Sequence, residues 1–151
     1  MLVETLQLIF KRDLHRLQKE LLAYQRESLL WETPQQVNNS AGNLCLHLIG
    51  NLNHFIGGVL GGTGYVRKRT LEFSRKEVPL TELIQEIEAT IKIVDASLST
   101  LTAAKLSETY PLLVFKEKTS TEYFLVHLTT HLSYHLGQIS YHRRILESPP
   151  A

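Results

Sequence analysis

Apolar residues recur at three- and four-residue intervals in four separate stretches of the chain, and the segments between them are polar or carry glycine and proline. In the first stretch, from Val3 to about Ser28, the residues Val3, Leu6, Phe10, Leu14, Leu17, Leu21 and Tyr24 alternate with Lys11, Arg12, Arg16, Lys19 and Glu20. This spacing predicts an amphipathic helix. Leu29-Leu30-Trp31 then runs into Glu32-Thr33-Pro34, and the asparagines that follow continue a loop that proline keeps from being helical. Ser40 or Asn39 is placed to cap a second helix reaching about Leu60, with Ala41, Cys45, Leu48, Leu52, Phe55, Ile56 and Val59 on its apolar side.

Gly57, Gly58, Gly61, Gly62 and Gly64 break the second helix, and about twenty residues pass before the next periodic run. Helix-to-helix links usually take about two to eight residues. At about 3.3 Å per extended residue, this link can return along a whole helix, so helices two and three are expected to run parallel. The third helix starts at Pro79 and has the most regular seam: Leu80, Leu83, Ile87, Ile91, Val94, Leu98 and Leu101. In the next link Leu112-Leu113-Val114-Phe115 is β-prone, and a short ribbon with Thr70-Leu71-Glu72-Phe73 is expected. Thr119-Ser120-Thr121-Glu122 reads as a capping box for a fourth helix, which Ser148-Pro149-Pro150 stops. The expectation is an all-α, four-helix, single domain over residues 1–151.

Composition adds few constraints. At 151 residues and 43% hydrophobic content, the chain can bury one ordinary core. Lys and Arg total 16 against 15 Asp and Glu, so no global field draws the protein to nucleic acid or to a membrane surface, and neither is expected as a partner. Glu4, Lys11, Arg12 and Asp13 interrupt the N-terminal apolar residues, so neither a signal-peptide core nor a spanning segment is expected there, and a cytoplasmic location follows as an expectation. Cys45 is the only cysteine, which excludes an intrachain disulfide and any multi-cysteine metal site. The seven histidines are the remaining soft-metal ligands.

Four of them lie on the fourth helix, whose apolar stripe is Leu125, Leu128, Leu132, Leu136, Ile139 and Leu146. His131 and His135, at i and i+4, project from one face about a turn apart, a spacing that one cation can bridge. His127 is turned roughly 40° further to the polar side and is read, with His54, as solvent-facing or at a rim. His142 shares the face of His135 but sits two turns on, about 10 Å away, too far to join one ion. His47, on the second helix, lies well off the centre of that helix's stripe, so its angle alone does not select it as an inward ligand.

Tyr134, Gln138 and Tyr141 can orient a ligand or simply pack, and Asn51, one turn after His47, poses the same choice. Cys45 reads as a small buried hydrophobe, and Trp31 as closing one end of the bundle. The cluster Arg67-Lys68-Arg69 with Arg75-Lys76 reads as a solvated loop, with recognition of an anionic substrate as the sharper alternative. His131-x-x-x-His135 carries Leu132 where a zinc metallopeptidase needs its glutamate, and the glycines after the second helix lack a phosphate-loop lysine.

The segment His131-Leu-Ser-Tyr-His135-Leu-Gly-Gln138-Ile, preceded by Asn43-Leu-Cys-Leu-His47-Leu-Ile-Gly-Asn51, resembles the DinB-like superfamily over nearly the whole chain. The resemblance implies an up-down-down-up four-helix bundle with a long crossover between helices 2 and 3, and a homodimer. It also implies a divalent ion, zinc or nickel, held by His47, His131 and His135. For function it implies a metal-dependent enzyme, such as a transferase that uses a low-molecular-weight thiol on a small-molecule substrate. The alternative is a non-catalytic metal-binding or stress-associated bundle. No residue is singled out as a general base, and a fold of this kind does not choose a reaction.

Overall fold

The computed structural model describes residues 2–148 and contains no strand among them. Four long helices carry the architecture: α1 (Leu2–Leu22), α2 (Ala41–Leu52), α4 (Leu80–Ser99) and α6 (Thr121–Glu147). Two short ones lie in the connections, α3 (Arg69–Ser74) and α5 (Ala103–Ser107). α1 packs on α4 and α6, while α2 packs on α6, α4 and α3. The apolar stripes of the four long helices meet in one core that includes Phe10, Leu14, Leu48, Leu83, Leu98 and Leu132. Among the described residues, no helix is long and apolar enough to cross a membrane.

Several boundaries differ from the periodicity. α1 stops at Leu22, not near Ser28, because burial of later residues requires a change of direction. Tyr24 turns inward to hydrogen-bond α6, Gln25 N–H donates to Glu147, and a 3₁₀ turn over Glu27–Trp31 buries Leu29 and Leu30. Ser40 caps α2 by accepting from Asn43 N–H, and the helix widens over Asn53–Gly58 into a π-helical segment that carries it on towards Leu60. α6 is capped by Ser120, one residue later than the capping box places it, since Thr119 is engaged elsewhere. Its carbonyl accepts from Tyr110 N–H, and Thr121 N–H donates to Glu108 in the isolated bridge that closes the base of the preceding loop. α6 ends at Glu147 with Ser148 as its C-cap, and the expected stop at Pro149-Pro150 lies outside the described residues.

The expected ribbon is absent. Residues 69–74 are helical, and Leu113 and Val114 stand exposed in an irregular loop. A specific interaction favours the helix: Asn43 Nδ2 donates to the carbonyls of Glu72 and Arg75 at 2.9 and 2.8 Å, satisfying the end of α3 that would otherwise be bare. α3 is thereby fastened across the face of α2.

Candidate metal centre

α2 is buried along all twelve of its residues, His47 included. An amphipathic-stripe argument assumes one dry side and one wet side, and a helix covered by α3, α4 and α6 has no wet side. His47 therefore faces inward in spite of its angle. It meets His131 and His135 of α6, which sit half-buried on the flank of the core as their spacing predicts.

The Nε2 atom of His131 lies 3.2 Å from Nε2 of His47 and 3.2 Å from Nε2 of His135. One ligand atom from each of the three residues falls within 4.8 Å of the others, and this group could hold a metal ion. With metal–nitrogen bonds of about 2.0–2.1 Å, two nitrogens on one ion are about 2.9 Å apart at a right angle and about 3.3 Å apart at the tetrahedral angle. The two 3.2 Å separations to His131 fit that range.

The far side of two rings fixes which nitrogen is free. His47 Nδ1–H donates to Glu72 Oε1 at 3.0 Å, and His135 Nδ1–H donates to Gln138 Oε1 at 2.7 Å. Each ring consequently presents a bare Nε2 lone pair to the centre. Glu72 is itself clamped by Arg67, whose Nε and Nη2 donate to its two oxygens at 2.8 Å each. Burial alone would raise the Glu72 carboxyl, but hydrogen bonds from His47 and Arg67, with the Arg67 charge, hold it below the usual carboxylate value.

A close approach makes room for this arrangement. A Cβ on Gly50, three residues after His47, would collide with the Glu72 carboxylate. Phe73 completes the wall, its ring 5.0 Å from that of His47.

Burial, followed by the neighbouring His135 and His47, pushes the His131 pKa down to about 3, and burial also lowers His135. Both rings are therefore neutral at pH 7, which is the form that binds a metal.

The remaining candidates separate cleanly. His142 is buried away from the cluster, hydrogen-bonded to Tyr24 and to the Glu32 carbonyl. His127 stands at the rim, its ring 6.2 Å from His131 and packed edge-on to Phe115 at 4.7 Å, and His54 packs against Phe55. Gln138 orients His135, whereas Tyr134 and Tyr141 are exposed. Cys45 is fully buried, and burial raises its thiol pKa. Trp31 packs across the start of α2 against Gly42.

Asn51 does not hold His47; Glu72 does. The basic cluster is used internally: Arg67 on Glu72, Arg75 on Glu82, Lys76 on Asn43, with Arg69 over the Phe73 ring. These four cations have partners within the fold. Glu72 and Arg67 are the site residues that sequence reasoning missed. The one available signal was an acid set between two apolar residues, Leu71-Glu72-Phe73, after a basic run.

No curated protein matches this chain. The sequence pattern of DUF1572, a protein family of unknown function, matches residues 3–149, and the chain belongs to that family.

Proposed function

We propose that the protein is a divalent-metal-dependent enzyme, built as a single DinB-like, up-down-down-up four-helix domain. His47, His131 and His135 would hold zinc or nickel. The observation that carries this reading is the convergence of three Nε2 atoms, two of them on rings whose protons are already committed to Glu72 and Gln138.

Three imidazoles leave a coordination position open, the arrangement of a catalytic and not of a closed structural site. An ion held by these three residues would lower the pKa of a thiol or water bound at its open position and so would supply a nucleophile at neutral pH. Transfer of a small thiol to an electrophile is the reaction we favour. A cavity of about 350 Å³ lies beside α6, lined by Gln138, Gln36, Asn39, Leu44, Tyr141 and His142, and none of His47, His131 and His135 lines it.

A homodimer is also part of this proposal. Tyr123, Tyr134, Tyr141 and Ile145 are exposed and, at about 100° per residue, lie within roughly 40° of one another on the outer side of α6.

The test is the absorption spectrum of cobalt-substituted protein titrated with a neutral thiol such as N-acetylcysteamine. A sulfur-to-cobalt charge-transfer band that saturates supports an open, thiol-accepting centre. An unchanged spectrum with the metal retained supports the non-catalytic metal-binding alternative, for which the near-complete burial of His47 speaks.

A further inference from the structure

Among the described residues, two buried side-chain polar atoms have no hydrogen-bond partner: His131 Nδ1 and Asn51 Oδ1. Unpartnered buried polar atoms are costly and uncommon, so a pair at one helix interface calls for a cause. Their chemistry is complementary. A His131 that offers Nε2 to a metal carries its proton on Nδ1, which makes Nδ1 a donor, while the Asn51 oxygen is an acceptor.

Their register is also complementary. α2 and α6 run in opposite directions where they meet: His47 is level with His131 and His135, and Phe55 is level with Phe124, their rings 5.2 Å apart. Asn51 lies midway between His47 and Phe55, and therefore level with the turn that contains residues 127–131. Both residues thus occupy the same stratum of the α2–α6 interface.

We infer that Asn51 Oδ1 is the acceptor for His131 Nδ1–H when the centre holds its metal, either directly or across one water. This rests on the metal reading above and extends it from two rings to three. Glu72 holds the proton of His47 on Nδ1, Gln138 does so for His135, and Asn51 does so for His131.

Without an acceptor at Nδ1, the proton of His131 stays on Nε2. There it is shared with the lone pairs of His47 and His135 at 3.2 Å and stands where the ion would bind. Asn51 is accordingly a positioning residue that selects the metal-binding tautomer of the central histidine. Its target differs from the neighbour that its place on the helix suggests, because Glu72 already serves His47.

The test compares zinc affinity by chelator competition in wild type, Asn51→Leu and Asn51→Asp, with long-range proton–nitrogen correlation spectra of His131 in zinc-loaded protein. Partners of ligand histidines typically contribute 10–100-fold to affinity. The expected result is a loss of that size in Asn51→Leu, affinity retained in Asn51→Asp, which keeps the acceptor, and a slowly exchanging Nδ1–H on His131 in the wild type. Wild-type affinity within about twofold in Asn51→Leu, or an equal loss in both variants, would overturn the inference while leaving the metal site standing. A wild type that takes up neither zinc nor nickel would overturn the metal reading and this inference with it.

Discussion

Helix α6 carries two histidine networks with opposite logic, and the contrast shows how a histidine's role can be read. At His142 both ring nitrogens have conventional partners: Nε2–H donates to the Glu32 carbonyl at 2.8 Å, and Nδ1 accepts from the Tyr24 hydroxyl at 2.7 Å. The ring ties α6 to the end of α1 and to the 3₁₀ turn. Two turns earlier, His131 and His135 direct Nε2 towards each other and towards His47, and the inner nitrogens face only one another. Both networks are at least half-buried and built on histidine, so burial and the presence of an imidazole do not tell them apart. What the lone pairs face does. One network is complete as protein, and the other is a group that could hold an ion.

The two networks should respond to substitution in opposite ways. The largest effect is expected on the satisfied side. His142→Leu leaves the Glu32 carbonyl short of its donor, at about 1–3 kcal/mol, and leaves the Tyr24 hydroxyl with only the Ile139 carbonyl. A denaturant melt of metal-free protein should show that loss, with zinc uptake preserved. His131→Leu should do the reverse, leaving the metal-free melt unchanged or higher while zinc uptake is lost. Equal destabilisation by both would erase the distinction.

Glu72→Leu should follow in size. It removes the acceptor for His47 Nδ1–H and strands Arg67, so a 10–100-fold loss of zinc affinity is expected in a chelator competition. Gly50→Ala, which drives a methyl group into the same carboxylate, should lower affinity in the same direction. An unaltered affinity in both would show that Glu72 serves only the packing of α3.

The smallest effect is a graded response to acid. Burial and its histidine neighbours lower His131 from 6.5 to about 3, so between those values the unfolded chain binds a proton that the folded chain does not. The stability that depends on His131 is therefore fully present above about pH 6.5 and declines as pH falls through that window. Melts of metal-free protein at pH 7 and pH 5.5 should show the decline in wild type and a weaker one in His131→Leu. An identical pH dependence in the two would place the acid sensitivity elsewhere.

Much of this organisation was legible without coordinates, for reasons that differ by residue. The four long helices follow from stripes on helices with one wet and one dry side, as in α1, α4 and α6. His131 and His135 follow from i, i+4 geometry, and Gln138 lies a further turn along the same face. His47 did not follow from its angle, because α2 is enclosed on every side, and only the resemblance selected it. Glu72 and Arg67 were illegible for a further reason. They belong to a long connection whose path is set by tertiary contacts, chiefly the hold of Asn43 on the backbone of α3, and local propensity carries no record of that. The same contacts explain why a segment with β-prone residues is helical.

The most direct test is the metal content, by mass spectrometry, of untagged protein reconstituted with zinc or nickel, comparing wild type with His47→Ala, His131→Ala, His135→Ala and His142→Ala. The account predicts close to one ion per chain in wild type and in His142→Ala, and loss in each of the other three. Wild-type content in the His47, His131 or His135 variants, or no uptake by the wild type, would contradict it.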